Sequence, residues 1–126
     1  NPWVLQSAGV RFCIAGPGGT MDAPHERNLP YQAARAASFG LARKEALKPV
    51  TLYPAQILGV ADRLGSLEVG KDATFIITSG DPLEITTSVN AAYISGRPVD
   101  LANKQTRLYK KYREKYRQLK KAAAGG

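Results

Sequence analysis

Apolar positions change their spacing twice along this chain of 126 residues and divide it into three stretches. Residues 3–8 read as the closing turns of a helix, and Gly9 is the residue best suited to a left-handed C-cap. Residues 10–15, Val-Arg-Phe-Cys-Ile-Ala, form a short, mostly apolar run rich in β-formers. Such a run suits a strand buried on both faces, as in a parallel sheet. Gly16-Pro17-Gly18-Gly19-Thr20 breaks it and must be a loop. A helical pattern follows over 29–39, with Asn28 or Leu29 as its cap, Pro30 in its first turn and Gly40 at its end. Residues 43–50 and 54–58 predict two more helices, the last stopped by Gly59.

After Gly59 the pattern turns short and punctuated. Gly65-Ser66, Gly70-Lys71-Asp72 and Gly80-Asp81-Pro82 place Gly or Asp where a tight reversal needs them. Residues 73–78 and 89–95 are β-branched and aromatic, and Gly96-Arg97 predicts a hairpin return into Pro98-Val99. These strands predict a small antiparallel β-unit in a layer of its own. Asp100 reads as the N-cap of a long helix over 101–121. Leu101, Leu108, Tyr112 and Leu119 fall near one face of it, beside Tyr109 and Tyr116. Residues 122–126 are low-complexity and carry no fold signal of their own. No internal repeat is visible.

Charge sharpens the view of that last helix. Residues 104–121 hold nine Lys/Arg and one acid, Glu114, while the other residues carry nine of each sign and cancel. The net charge of +8 therefore belongs to one segment. Nucleic acid is one reading of tyrosines amid cations. The pattern fits better a helix that packs its tyrosines and leucines on a parent body and floats its cations in water. No apolar run approaches the roughly 20 residues of a bilayer span, so no membrane partner is expected. Asn1-Pro2-Trp3 shows neither an initiator Met nor the basic and apolar regions of a signal peptide. The lone Cys13 forms no internal disulfide, and its apolar setting predicts a buried, inert thiol.

Several segments in order resemble the C-terminal portion of the amidohydrolase superfamily, nearest its imidazolonepropionase-like branch. They are Ala8-Gly9-Val10-Arg11-Phe12, Asn28-Leu29-Pro30-Tyr31, Glu45-Ala46-Leu47, Thr51-Leu52-Tyr53-Pro54-Ala55 and Ile57-Leu58-Gly59-Val60. Gly65-Ser66-Leu67-Glu68-Val69-Gly70-Lys71-Asp72-Ala73 is the most specific, and Gly80-Asp81-Pro82-Leu83 follows. The resemblance implies an α/β fold: the last strand and helices of a (β/α)8 barrel, the C-terminal strands of a small β-sandwich, and a long C-terminal helix. Residues 1–60 would close the barrel, with 10–15 as its eighth strand. Residues 61–100 would form part of a composite sandwich, and 101–121 the basic helix. The remainder of the barrel, or another copy of the chain, is the partner this implies.

The resemblance also implies hydrolysis of carbon–nitrogen bonds in small molecules by a divalent metal, zinc, in the parent enzyme. Histidines of earlier strands would hold that metal, so neither a metal ligand nor independent activity is expected from this chain, whose one histidine is His25. An Asp just after the eighth strand belongs to the family pattern, but those positions read Ala15-Gly16-Pro17-Gly18. Asp22 stands several residues later. Asp22 and His25 are the catalytic candidates, and His25, Glu26 and Arg27 the substrate-contact candidates, on a loop that would sit at the barrel mouth. A solvated polar loop is the plain alternative. Asp72, Asp81 and Glu68 are better explained as turn residues.

Overall fold

A computed structural model describes residues 1–16, 18–19 and 23–124. The first half is helical. Helix α1 (Pro2–Ser7) starts where the Asn1 side chain accepts the Trp3 amide, and it ends through Gly9 at φ +69°. Helix α2 (Leu29–Ser38) buries Ala33 and Ala36. Alanines on that face let the neighbouring backbone approach closely. Helix α3 (Arg43–Ala46) stops four residues earlier than the sequence predicts, giving way to a 3-10 turn at Lys48–Val50. Pro49 lies in that turn and has no N–H to continue the α-helical ladder. Helix α4 (Leu52–Ile57) follows, and Gly59 at φ +71° ends it as expected.

The core is small. Ala33, Ala36, Leu41, Ala46 and Leu83 form it, with Phe12, Ile14, Leu47 and Val50 packed against it half-buried. Leu83 belongs to the second half of the chain, so it pins the β-unit onto the helices. Arg43 reinforces the same junction by pairing with Asp81 at 2.7 Å and with Glu84.

Residues 10–15 are extended but pair with no strand among the described residues. The Ile14 amide donates to the Pro49 carbonyl at 2.9 Å, so the segment lies along the helices and not in a sheet. Its side chains alternate, Phe12 and Ile14 half-buried while Arg11, Cys13 and Ala15 are exposed. The expectation of a strand covered on both faces is thus corrected: one face is covered by helices, and the other is open. Cys13 lies on the open face, so its thiol is exposed where the sequence predicts burial.

The β-unit is a three-stranded antiparallel sheet in the order β1 (Phe75–Thr78), β2 (Val89–Ile94), β3 (Arg97–Pro98). Phe75 pairs with Tyr93 across it, their rings stacked 4.9 Å apart. The hairpin turns at Ser95 (φ +48°) and Gly96 (φ +77°), one residue earlier than predicted. Positive φ at both positions makes the type I′ geometry that suits strand twist.

Helix α5 (Lys104–Ala124) begins later than predicted, and its cap is not Asp100. Asn103 Oδ1 accepts the Thr106 amide while Thr106 Oγ1 accepts the Asn103 amide, a reciprocal capping box. Asp100 instead accepts the Ala102 amide and pairs with Arg107. The helix runs on through Ala122–Ala124, which fits alanine's high helix propensity. It buries none of its residues, so the predicted packing of its leucines and tyrosines on the body is not realised within this chain.

Candidate functional site

Residues 10–15 lead directly to a cavity of about 340 Å³, within the size range of small-molecule sites. Its walls are Ala15 and Gly16 at the end of the extended segment, His25 and Glu26 from a 3-10 turn at Ala23–Asn28, and Asn28, Leu29 and Gln32 at the start of α2. The loop expected over these positions is therefore partly helical. Pro30 inside the first turn of α2 fixes φ where the helix follows the 3-10 turn that carries His25 and Glu26.

The Glu26 carboxylate rests against Gly16. A Cβ built at position 16 would lie 2.7 Å from Glu26 Oε1 and 3.1 Å from Oε2. Gly16 does not occupy the left-handed region. Its missing side chain therefore serves space and not backbone geometry: it is a seat for the carboxylate. The sequence marks Glu26 as a candidate but carries no hint of that seat, and for Asn28 and Gln32 the one signal is their i, i+4 spacing at a helix start.

Of the four candidates, the structure brings His25 and Glu26 to the cavity, both exposed. Arg27 is exposed and does not line it. Asp22 lies outside the described residues. An imidazole and a carboxylate at adjacent positions are the side chains most used to move protons or to accept hydrogen bonds from a polar substrate. A zinc site needs three or four protein ligands, and no group of three His, Cys, Asp or Glu is assembled among the described residues.

The turn carboxylates divide. Asp81 Oδ1 accepts the Leu83 amide at 2.9 Å, and that bond, then Arg43, holds its carboxyl below the usual range. Asp72 pairs instead with Arg63 at 2.7 Å. Glu68 accepts the Ser66 hydroxyl at 2.6 Å and pairs with Lys71 at 3.2 Å, and these bonds lower its pKa. The Gly65–Asp72 motif is thus a self-fastened turn with a structural task.

A helical body with a one-sided extended segment, a small antiparallel sheet and a cavity at the segment's end agrees with the family that the sequence resembles. The amidohydrolase family model matches residues 4–107, and the chain belongs to that family. It is 40% identical over 91 residues to the N-acetylglucosamine-6-phosphate deacetylase of Danio rerio, covering 72% of this chain and 21% of that protein. It is 43% identical over 93 residues to an imidazolonepropionase of Shewanella baltica, covering 74% and 22%. Among solved structures, an amidohydrolase from Thermotoga maritima matches with TM-score 0.64 and 37% identity, over 75% of this chain and 24% of that one. The chain spans about a quarter or less of each of these relatives.

Proposed function

We propose that this chain supplies the C-terminal part of a hydrolase of carbon–nitrogen bonds. In this reading residues 1–60 close a (β/α)8 barrel, with 10–15 as its last strand. Residues 61–100 contribute one layer of a small sandwich, 101–121 form the basic helix, and 122–126 are an appendage. The observation that carries the reading is the one-sidedness of residues 10–15. Helices cover Phe12 and Ile14, while Arg11, Cys13 and Ala15 face open space. That is the environment of a barrel strand seen without its neighbours, because barrel strands pack helices on one face and the barrel interior on the other. Exposed Leu67, Val69, Ile76 and Ile94 on the β-unit support a second layer in the same way.

The cavity then opens at the C-terminal end of that strand, the end at which barrel enzymes bind substrate. His25 and Glu26 contact a small polar substrate there, and Gly16 keeps the carboxylate seated. The divalent metal of such a hydrolase, zinc by family likeness, takes its ligands from the rest of the protein. Residues 1–126 alone are inactive. The lack of the family's Asp across Ala15-Gly16-Pro17-Gly18 favours a second reading, a catalytically silent scaffold of the same fold.

Grafting residues 4–107 into the Thermotoga maritima amidohydrolase, in place of its matching segment, tests the proposal. A soluble chimera that hydrolyses that enzyme's substrate, alongside an inactive isolated chain, is the expected result. A folded but inert chimera supports the scaffold. Hydrolysis by residues 1–126 alone contradicts both readings.

A further inference from the structure

Helix α5 has two segregated faces that the hydrolase reading does not use. At about 100° per residue, Leu108, Tyr109, Tyr112, Tyr116 and Leu119 fall within a stripe roughly 100° wide. All five are exposed. The nine cations occupy the remaining arc, with Lys115 and Lys120 on the two borders of the stripe. Arg107 pairs with Asp100 and Arg117 with Glu114; Arg113 also lies within electrostatic reach of Glu114, and the other six form no ion pair among the described residues. Elsewhere the chain is neutral in sum, and among the described residues Asp100 is the one acid outside the helix that pairs with it. A second copy brings the same +8, which opposes the pairing of two such helices.

We propose that α5 is an interfacial helix that lays the chain on an anionic membrane surface. The stripe enters the boundary between headgroups and acyl chains, and the flanking lysines extend to the phosphates. An interfacial helix needs no span, which fits the finding that no helix among the described residues is long and apolar enough to cross a membrane. This surface satisfies both faces of the helix. A nucleic acid would engage the cations and leave Leu108 and Leu119 in water; moreover, the Arg113 guanidinium already lies 5.5 Å from the Tyr109 ring centroid, over one face of it. The inference is independent of any hydrolytic activity.

Co-sedimentation of the 126-residue chain with phosphatidylcholine vesicles, with and without phosphatidylglycerol, tests it. The chain is expected to pellet with the anionic vesicles alone and to be released by salt. Replacing Lys115, Arg117, Lys120 and Lys121 by Gln lowers partitioning by about six-hundredfold, at roughly fivefold per cation. Leu108→Ser with Leu119→Ser keeps every charge and still weakens partitioning, with circular dichroism confirming that both variants retain their helix. The proposal is overturned if the chain ignores anionic vesicles at low salt. It is equally overturned if the serine variant partitions like the parent, or if a duplex RNA binds more tightly than the vesicles and does so regardless of the leucines.

Discussion

Gly65 is the position where a single methyl group tests the junction between the helical body and the β-unit. Its φ of +94° lies in the left-handed half of the map, and a Cβ there would stand 2.7 Å from Ala55 Cβ, 3.1 Å from Leu52 Cα and 3.1 Å from the Thr51 carbonyl oxygen. Two of these three obstacles are backbone of α4 and its N-terminal flank, which cannot rotate aside. Backbone strain for a non-glycine residue costs about 1–2 kcal/mol, and overpacking about 1–3 kcal/mol more. Reduced entropy of the unfolded chain returns about 0.4–1 kcal/mol. Gly65→Ala is therefore expected to destabilise the body by roughly 2–4 kcal/mol. At a urea slope of about 1.5 kcal/mol/M, the midpoint falls by roughly 2 M. Gly59→Ala is the matched control, because Gly59 has φ +71° but open space around the same methyl. It carries the strain without the clash, for about 1 kcal/mol or less. Trp3 fluorescence reports the transition, since the Trp3 side chain abuts Gly40 and α5 buries nothing against the body. Equal midpoints for the two variants would refute the packing at Gly65.

Leu83→Ala removes the β-unit's one contribution to the buried cluster and is expected to cost about 2–5 kcal/mol, read as a lower midpoint in the same urea titration. Cys13 should react with a thiol reagent at the rate of a free cysteine in this chain, and much more slowly within the grafted barrel, where its face is covered; equal rates would count against the barrel interior. Glu114 is held at about 2, first by the Arg117 hydrogen bond and then by Gln118. A depressed carboxylate stabilises the folded form above its ordinary pKa. The helical signal of α5 should therefore be fully supported above pH about 4.5 and decline as acid is added toward about 2, and Glu114→Gln should flatten that decline.

Where the residues needed for an element lie inside the chain, its sequence predicts the element well. Gly9, Gly40 and Gly59 end helices as expected, and the turn glycines at 65, 70 and 96 take the positive φ their positions require. Departures have local physical causes. The reciprocal Asn103–Thr106 bonds outcompete Asp100 for the helix start, and Pro49 cuts the second helix short. Residues 10–15 depart for a different reason: their apolar composition suits cover on both faces, helices cover only Phe12 and Ile14, and in the proposed reading the rest of the barrel covers the other face. The site was half legible. His25 and Glu26 could be named from their place after the extended run, but Gly16 reads as an ordinary loop glycine until the carboxylate is seen against it.

Amide hydrogen exchange at residues 11–15 probes the barrel-strand reading most directly. Of residues 11–15, only Ile14 has a backbone acceptor among the described residues, the Pro49 carbonyl. Arg11, Phe12, Cys13 and Ala15 should therefore exchange at nearly unfolded rates, and become protected when residues 4–107 are grafted into the Thermotoga maritima barrel. Strong protection of all five amides in the chain by itself, or none in a folded chimera, would contradict the account.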